Sequence, residues 1–308
     1  MMNGFINLLK PPGLTSHTAV SKMRRLLGIR AIGHGGTLDP AASGVLPLAV
    51  GQATRLLEHL VAQDKAYIGE VTFGVATDTL DQEGQVTWQA ARPPVLDLAQ
   101  IEVVLAAMIG PREQVPPAYS AIKYQGRPLY EYARAGKIVQ VPARPITVYS
   151  LSIKDFRADP WPRLLFHLRC SKGTYVRSLV QEIAEQLGTQ GTLTFLLREQ
   201  VGDFSVQNAL TLEEIHNLAE TGHVAQCLLP SALALRGWPQ VNLELATARR
   251  FLQGQRIRLD QAYGDVMVAV YQADRLLGVG RIRQGVLAPQ KVLAKWEELS
   301  EHDHHTRF

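Results

Sequence analysis

Residues 33–44, Gly33-His34-Gly35-Gly36-Thr37-Leu38-Asp39-Pro40-Ala41-Ala42-Ser43-Gly44, set four glycines around a single carboxylate. Glycine permits sharp turns and lets another group approach the backbone closely. Asp39 stands directly before Pro40, which biases it away from helical geometry. Apolar stretches at 19–27 and 45–50 flank the loop, so it rests on a packed scaffold and presents one acid. On the residues alone two readings of Asp39 stay open: a catalytic group, or an Asx side chain stabilising its own turn. A metal site fits less well, because the loop brings no second carboxylate and only one histidine, His34. The Gly-Lys-Ser/Thr of a P-loop is missing, and the spacing does not follow Gly-x-Gly-x-x-Gly after a strand.

Around this loop the pattern predicts mixed structure. Residues 5–9 read as a strand ending in the turn Lys10-Pro11-Pro12-Gly13. Thr15 or Ser16 then caps a helix whose Ala19, Val20, Met23, Leu26 and Leu27 recur at helical spacing. A second helix is expected over 54–61. Residues 67–75 alternate, with Tyr67, Val71, Phe73 and Val75 on one face, as in a half-buried strand. A polar loop at 78–84 follows, then a helix from Asp97 to Met108, an irregular Pro- and Tyr-rich stretch at 114–125, and a helix over 128–135. Strands at 146–156, 164–170 and 193–201 bracket a helix over 174–187. Strands and helices mix without βαβ alternation, which predicts an α+β fold. After Leu229-Pro230 the character changes to a helix over 243–252 and short strands at 256–259, 266–271 and 276–283, a small β-rich module. The tail from residue 300 reads as a solvated terminus.

Composition narrows the class. The chain has 308 residues, is 46% hydrophobic and carries a formal charge of +4, so it has room for one large domain or two. Arginines outnumber lysines more than two to one, which suits phosphate contacts and stacking on bases, although an arginine-rich solvated surface gives the same count. Cys170 and Cys227 are far apart and form neither a metal-ligand spacing nor a disulfide framework, as in a reducing compartment. No signal-like start and no membrane-length apolar run is present, so a cytoplasmic protein is expected.

A second chemical candidate is Ser171-Lys172-Gly173-Thr174-Tyr175-Val176-Arg177-Ser178, where a strand exits into a helix. Arg177 there could pair with Asp39 and hold it ionised; an ordinary helix start explains the same residues. Tyr67 could stack on a flat ligand or simply pack. Arg249, Arg250, Arg256, Arg258, Arg281 and Arg283 could form a phosphate-binding face or a solvated surface.

Taken together, the segments resemble the TruB family of tRNA pseudouridine synthases. The resemblance rests on Lys10-Pro11-Pro12-Gly13-Leu14-Thr15-Ser16, the 33–47 loop, Lys65-Ala66-Tyr67, Thr77-Asp78-Thr79, residues 114–121, residues 170–177 and Leu193-Thr194-Phe195-Leu196, in family order. It implies a mixed, largely antiparallel sheet with flanking helices in a catalytic domain over 1–230, a PUA-like RNA-binding domain over 231–299, and a tail over 300–308. It implies isomerisation of uridine-55 in the T-loop of tRNA, with neither metal nor organic cofactor. The C1′–N1 bond breaks, the uracil turns, and it rejoins through C5. Asp39 corresponds to the catalytic carboxylate, whether it attacks C1′, adds to uracil C6 or promotes a glycal. Arg177 matches its partner arginine. Tyr67 matches the tyrosine against the target base, with a proton-transfer role open to it. Tyr175 and Leu196 match pocket-lining positions, and His34 the histidine that fills the space of the flipped nucleotide.

Two positions depart from the family: Gly35, where many members have threonine, and Leu197, where many have arginine. The expected partner is the T-arm stem-loop of tRNA, met by a monomer without an obligate protein partner or membrane. Two alternatives remain, a tRNA-folding chaperone with secondary catalysis and a guide-RNA-dependent synthase of the archaeal and eukaryotic branch.

Overall fold

A computed structural model describes residues 2–137, 139–259 and 264–296; the tail expected at 300–308 lies outside them. A large sheet organises the first two thirds of the chain. Its strands run in the order Gly4–Lys10, Ser43–Val50, Gly191–Val201, Lys65–Phe73, Arg163–Cys170, Arg144–Arg157 and Gly110–Gln114. Every neighbouring pair is antiparallel except Gly191–Val201 beside Ser43–Val50, where Leu197 pairs with Ser43 and Arg198 with Gly44 in parallel. The fold is therefore α+β with a mixed sheet.

The helices cover the sheet because their apolar stripes have nowhere else to go. Ser16–Leu27 starts at Thr15, whose side chain accepts from the Thr18 amide, and ends at Gly28 in the left-handed region. Its buried Ala19, Val20 and Met23 meet Ile6, Leu8, Leu46 and Leu48 of the sheet. Farther along, Leu98–Ala107 and Val176–Gln186 pack Ile101, Leu105, Leu179, Val180 and Ile183 against Val71, Phe73, Leu164, Phe166 and Leu168.

The C-terminal module is a five-stranded sheet ordered Gln240–Asn242, Val266–Gln272, Arg275–Arg283, Val286–Val292, Ile257–Arg258, with the helix Leu245–Leu252 against it. It shares a core with the larger sheet: Ala269 and Val279 join Phe5, Val45, Ala49 and Phe204 in one apolar cluster. Beside this cluster Lys291 Nζ lies 2.5 Å from Glu58 Oε1. None of the helices among the described residues is long and apolar enough to cross a membrane.

Three local expectations change. The strand read over 67–75 stops at Phe73, because Gly74 turns at φ +87° and Val75–Thr77 instead pairs with Val86–Gln89. The helix read over 54–61 is a 3-10 turn, Gly51–Leu56, followed by the single α-turn Leu57–Val61. The stretch read as irregular from 114 begins as the end of the Gly110–Gln114 edge strand.

Gly69 marks a close side-chain approach within the central strands: a Cβ there would meet the Phe166 ring at 2.5 Å. Gly69→Ala is expected to lose about 1–3 kcal/mol by overpacking, read as a lower midpoint in urea denaturation with an unchanged slope.

Candidate active site

The loop carrying Asp39 is held from three sides. Ser16 Oγ accepts from the Leu38 amide at 2.8 Å and lies 3.0 Å from the Leu38 carbonyl. The Gly13 amide donates to the Pro40 carbonyl at 2.9 Å. The buried Lys10 ammonium donates to the carbonyls of Pro11, Leu14 and Pro40 at 2.8, 2.7 and 3.2 Å. Desolvation pushes Lys10 down to about 8, with Arg198 nearby acting in the same direction and Glu83 against it. The glycines serve two different needs. Gly36 and Gly44 take φ of +123° and +112°, whereas Gly33 and Gly35 make room for Leu57 and Leu60, which a Cβ would meet at 2.7 and 2.3 Å. At Gly35 the Leu60 side chain fills the space.

Asp39 faces Arg177. The Arg177 Nε lies 3.0 Å from Asp39 Oδ2, and its two terminal nitrogens donate to the carbonyls of Thr79 and Tyr119 at 2.9 Å each. Arg177 sits in the first turn of Val176–Gln186 and is buried, while the Asp39 side chain keeps about a third of its exposure. Burial raises the Asp39 carboxyl above its ordinary 3.8, Arg177 pulls it down, and Asp81 pushes it up again. Burial prevails.

Asp81 was not singled out in the sequence, and it corrects the picture of an isolated acid. Its Oδ2 lies 3.6 Å from Arg177 Nε, and its Oδ1 accepts from Thr79 Oγ1 at 2.6 Å and from the Glu83 amide at 3.1 Å. The 78–84 loop reaches the site because Leu80 and Gln82 bond the backbone of Leu193 at 3.1 Å each. Local sequence gives no sign of that long-range docking. A narrow cleft beside Asp39 is lined by Ala42, Asp81, Gln82, Leu193, Phe195 and Leu196, with about 10 Å³ of free space, roughly one water molecule.

The remaining candidates occupy distinct places. Tyr67 is buried in the strand Lys65–Phe73, directly opposite Leu168 on one side and Arg198 on the other. Burial pushes its phenol up to about 12, against the pull of Arg198. Tyr175 caps the helix of Arg177, and the Gln114 amide clamps its backbone by bonds of 2.8 and 3.0 Å. Leu196 sits partly buried between the two apolar clusters of the large sheet. His34 ends the short strand Ile32–His34 at the loop entrance; its buried Nδ1 has no partner among the described residues, and burial lowers its pKa, so the ring is neutral at physiological pH. In the C-terminal module Arg281 and Arg283 both bond Asp265, at 2.7 and 3.2 Å, and Arg249 lies 5.1 Å from the centre of the Trp296 ring. These three arginines are engaged within the protein.

The sequence model of the TruB family pseudouridylate synthase N-terminal domain matches residues 24–176, and that of the pseudouridine synthase II TruB C-terminal domain matches residues 239–293. A Nostoc sp. protein named tRNA pseudouridine synthase B is 42% identical over 293 residues, which are 94% of this chain and 98% of that one. This chain belongs to the TruB family of pseudouridine synthases. A Streptococcus pneumoniae protein of the same name is 41% identical, covering 95% of this chain and all of its own length (100%). The fold is shared with a chain in the crystal structure of a Cbf5-Nop10-Gar1 complex, at a TM-score of 0.73 and 24% identity over 96% of this chain and 86% of that one. The family member described here is thus an RNA-modifying isomerase.

The Asp39 carboxyl, followed by carbon NMR, is expected to titrate above 3.8. In Arg177→Met it titrates higher still, because the partly buried carboxyl loses its counter-ion.

Proposed function

We propose that the protein converts uridine-55 in the T-loop of tRNA to pseudouridine, with Asp39 as the catalytic carboxylate. The observation that carries this reading is the Asp39–Arg177 ion pair of 3.0 Å at the edge of a narrow cleft. An ionised, oriented carboxylate serves attack at C1′, addition at C6, and glycal formation alike. Arg177 is shared between two aspartates and two carbonyls, so its charge is fixed in place before substrate arrives, and little reorganisation is needed during the reaction.

The other residues fall into supporting roles. The Tyr67 phenol, pushed up to about 12, stays neutral at physiological pH. It packs on the base, and a proton-transfer role is open to it, although a phenol that holds its proton this tightly is a weaker acid than a free tyrosine. Tyr175 and Leu196 close the pocket around a uracil that must be retained while detached, and neutral His34 takes the space the extruded nucleotide leaves. Because the cleft has space for about one water, side chains at its mouth yield when the base enters, as base flipping requires. Residues 1–230 carry the reaction and 231–299 form a PUA-like RNA-binding domain. The protein acts as a monomer on the T-arm, without an obligate protein partner.

Asp39→Asn is expected to keep tRNA binding within about two-fold and to lose single-turnover pseudouridine formation by about three orders of magnitude or more. Mapping pseudouridine in the treated tRNA checks this; wild-type-like product from the variant removes Asp39 from its role. A bare T-arm hairpin is expected to be modified at the position equivalent to 55. No product without added guide RNA and proteins would favour a guided synthase instead.

A further inference from the structure

Arg198 is the largest of the fully buried side chains among the described residues. It lies on the strand Gly191–Val201 at the parallel joint with Ser43–Val50. Its Nε donates to the Val45 carbonyl at 2.8 Å, and its terminal nitrogens donate to the carbonyls of Thr37 and Gly36 at 3.1 and 3.0 Å. All three acceptors belong to the Asp39 loop or to the strand that follows it. Across the opposite edge Arg198 stands in register with Tyr67. Among the described residues no carboxylate lies within ion-pair distance of it.

A buried cation without a partner carboxylate carries a large desolvation penalty. An apolar side chain of similar length would fill this space without that penalty. The backbone is shaped to admit the arginine's strand as well: a Cβ on Gly44 would fall 2.2 Å from the Arg198 carbonyl oxygen, at a φ of +112°. What the charge accomplishes there is visible in its neighbours. Burial sets the direction at each, and the Arg198 charge opposes the rise at Asp39 and Tyr67 and adds to the fall at His34, Lys10 and Lys65.

We propose that Arg198 is a positioning residue for the reaction, one buried cation that fixes the Asp39 loop through three carbonyls and couples it to Tyr67. The proposal rests on reading the Asp39 cleft as the reaction centre. Two functions are joined in the same guanidinium. The planar fork sets the path of the loop, which lysine cannot reproduce, and the positive charge favours the ionised form of Asp39.

Two variants separate these functions, assayed on the full-length protein with transcribed tRNA. Arg198→Lys keeps the charge and loses the fork. It is expected to bind tRNA within about three-fold of wild type, to turn over about 100-fold more slowly per folded molecule, and to keep the acid limb of its rate profile in place. Arg198→Met loses both. Its acid limb is expected to move to higher pH, because Asp39 no longer has the nearby cation and the ionised form is the active one. Folded fractions are measured by circular dichroism and thermal melting in both.

A wild-type rate in folded Arg198→Lys would overturn the proposal, as would an unmoved acid limb in folded Arg198→Met. If Arg198→Met does not fold, Arg198→Lys alone decides. Wild-type protein in the same assay distinguishes the two levels: no pseudouridine from wild type refutes the reading of the cleft, whereas active wild type with an equally active Arg198→Lys refutes only the role of Arg198.

Discussion

The structure depends on one short parallel joint in an otherwise antiparallel sheet. Ser43 and Gly44 pair with Leu197 and Arg198, and nearly everything at the cleft is placed by that contact. Strand Ser43–Val50 emerges from the Asp39 loop, so the joint sets where the carboxylate sits. Strand Gly191–Val201 brings Leu193 and Leu196 to the cleft and anchors the Asp81 loop from its other side. Two segments far apart in sequence thus meet at a few residues, and the chemistry collects where they meet.

Electrostatics at this point is a balance between burial and compensation. Two aspartates line the cleft, Arg177 reaches both of them, and buried Arg198 holds the Asp39 loop through its carbonyls. Desolvation alone would neutralise a carboxylate, and Arg177 alone would push it well below its usual range. Held between them, Asp39 keeps a carboxyl raised above its ordinary value, with Arg177 opposing the rise. Charge in such a site is shared over a network rather than assigned to pairs.

Much of this was legible in the sequence. Asp39 announced itself through the glycines around it, and Arg177 through its place at a strand-to-helix exit. Tyr67 lay on a strand whose alternation could be read directly, whereas Leu196 was marked only by the family resemblance. Asp81 and Arg198 were not legible, for physical reasons. Asp81 stands in a run of polar residues that reads as a solvated loop, and it is buried only by docking on Leu193. A charged residue in a strand reads as solvent-facing, so Arg198 gave no local sign of being fully enclosed. Gly44 and Pro47 similarly obscured the strand Ser43–Val50, whose apolar run is evident but whose place between two neighbours is a property of the whole sheet.

The shared core between the large sheet and the C-terminal module has a consequence for substrate recognition. Val45 and Ala49, on the strand that leaves the Asp39 loop, are packed in one cluster with Ala269 and Val279 of the module. The module is therefore not a tethered appendage that can search for its own contact. It is fixed relative to the cleft by the interior of the protein. An RNA that touched both surfaces would have to present its two contact points at the spacing this shared interior dictates.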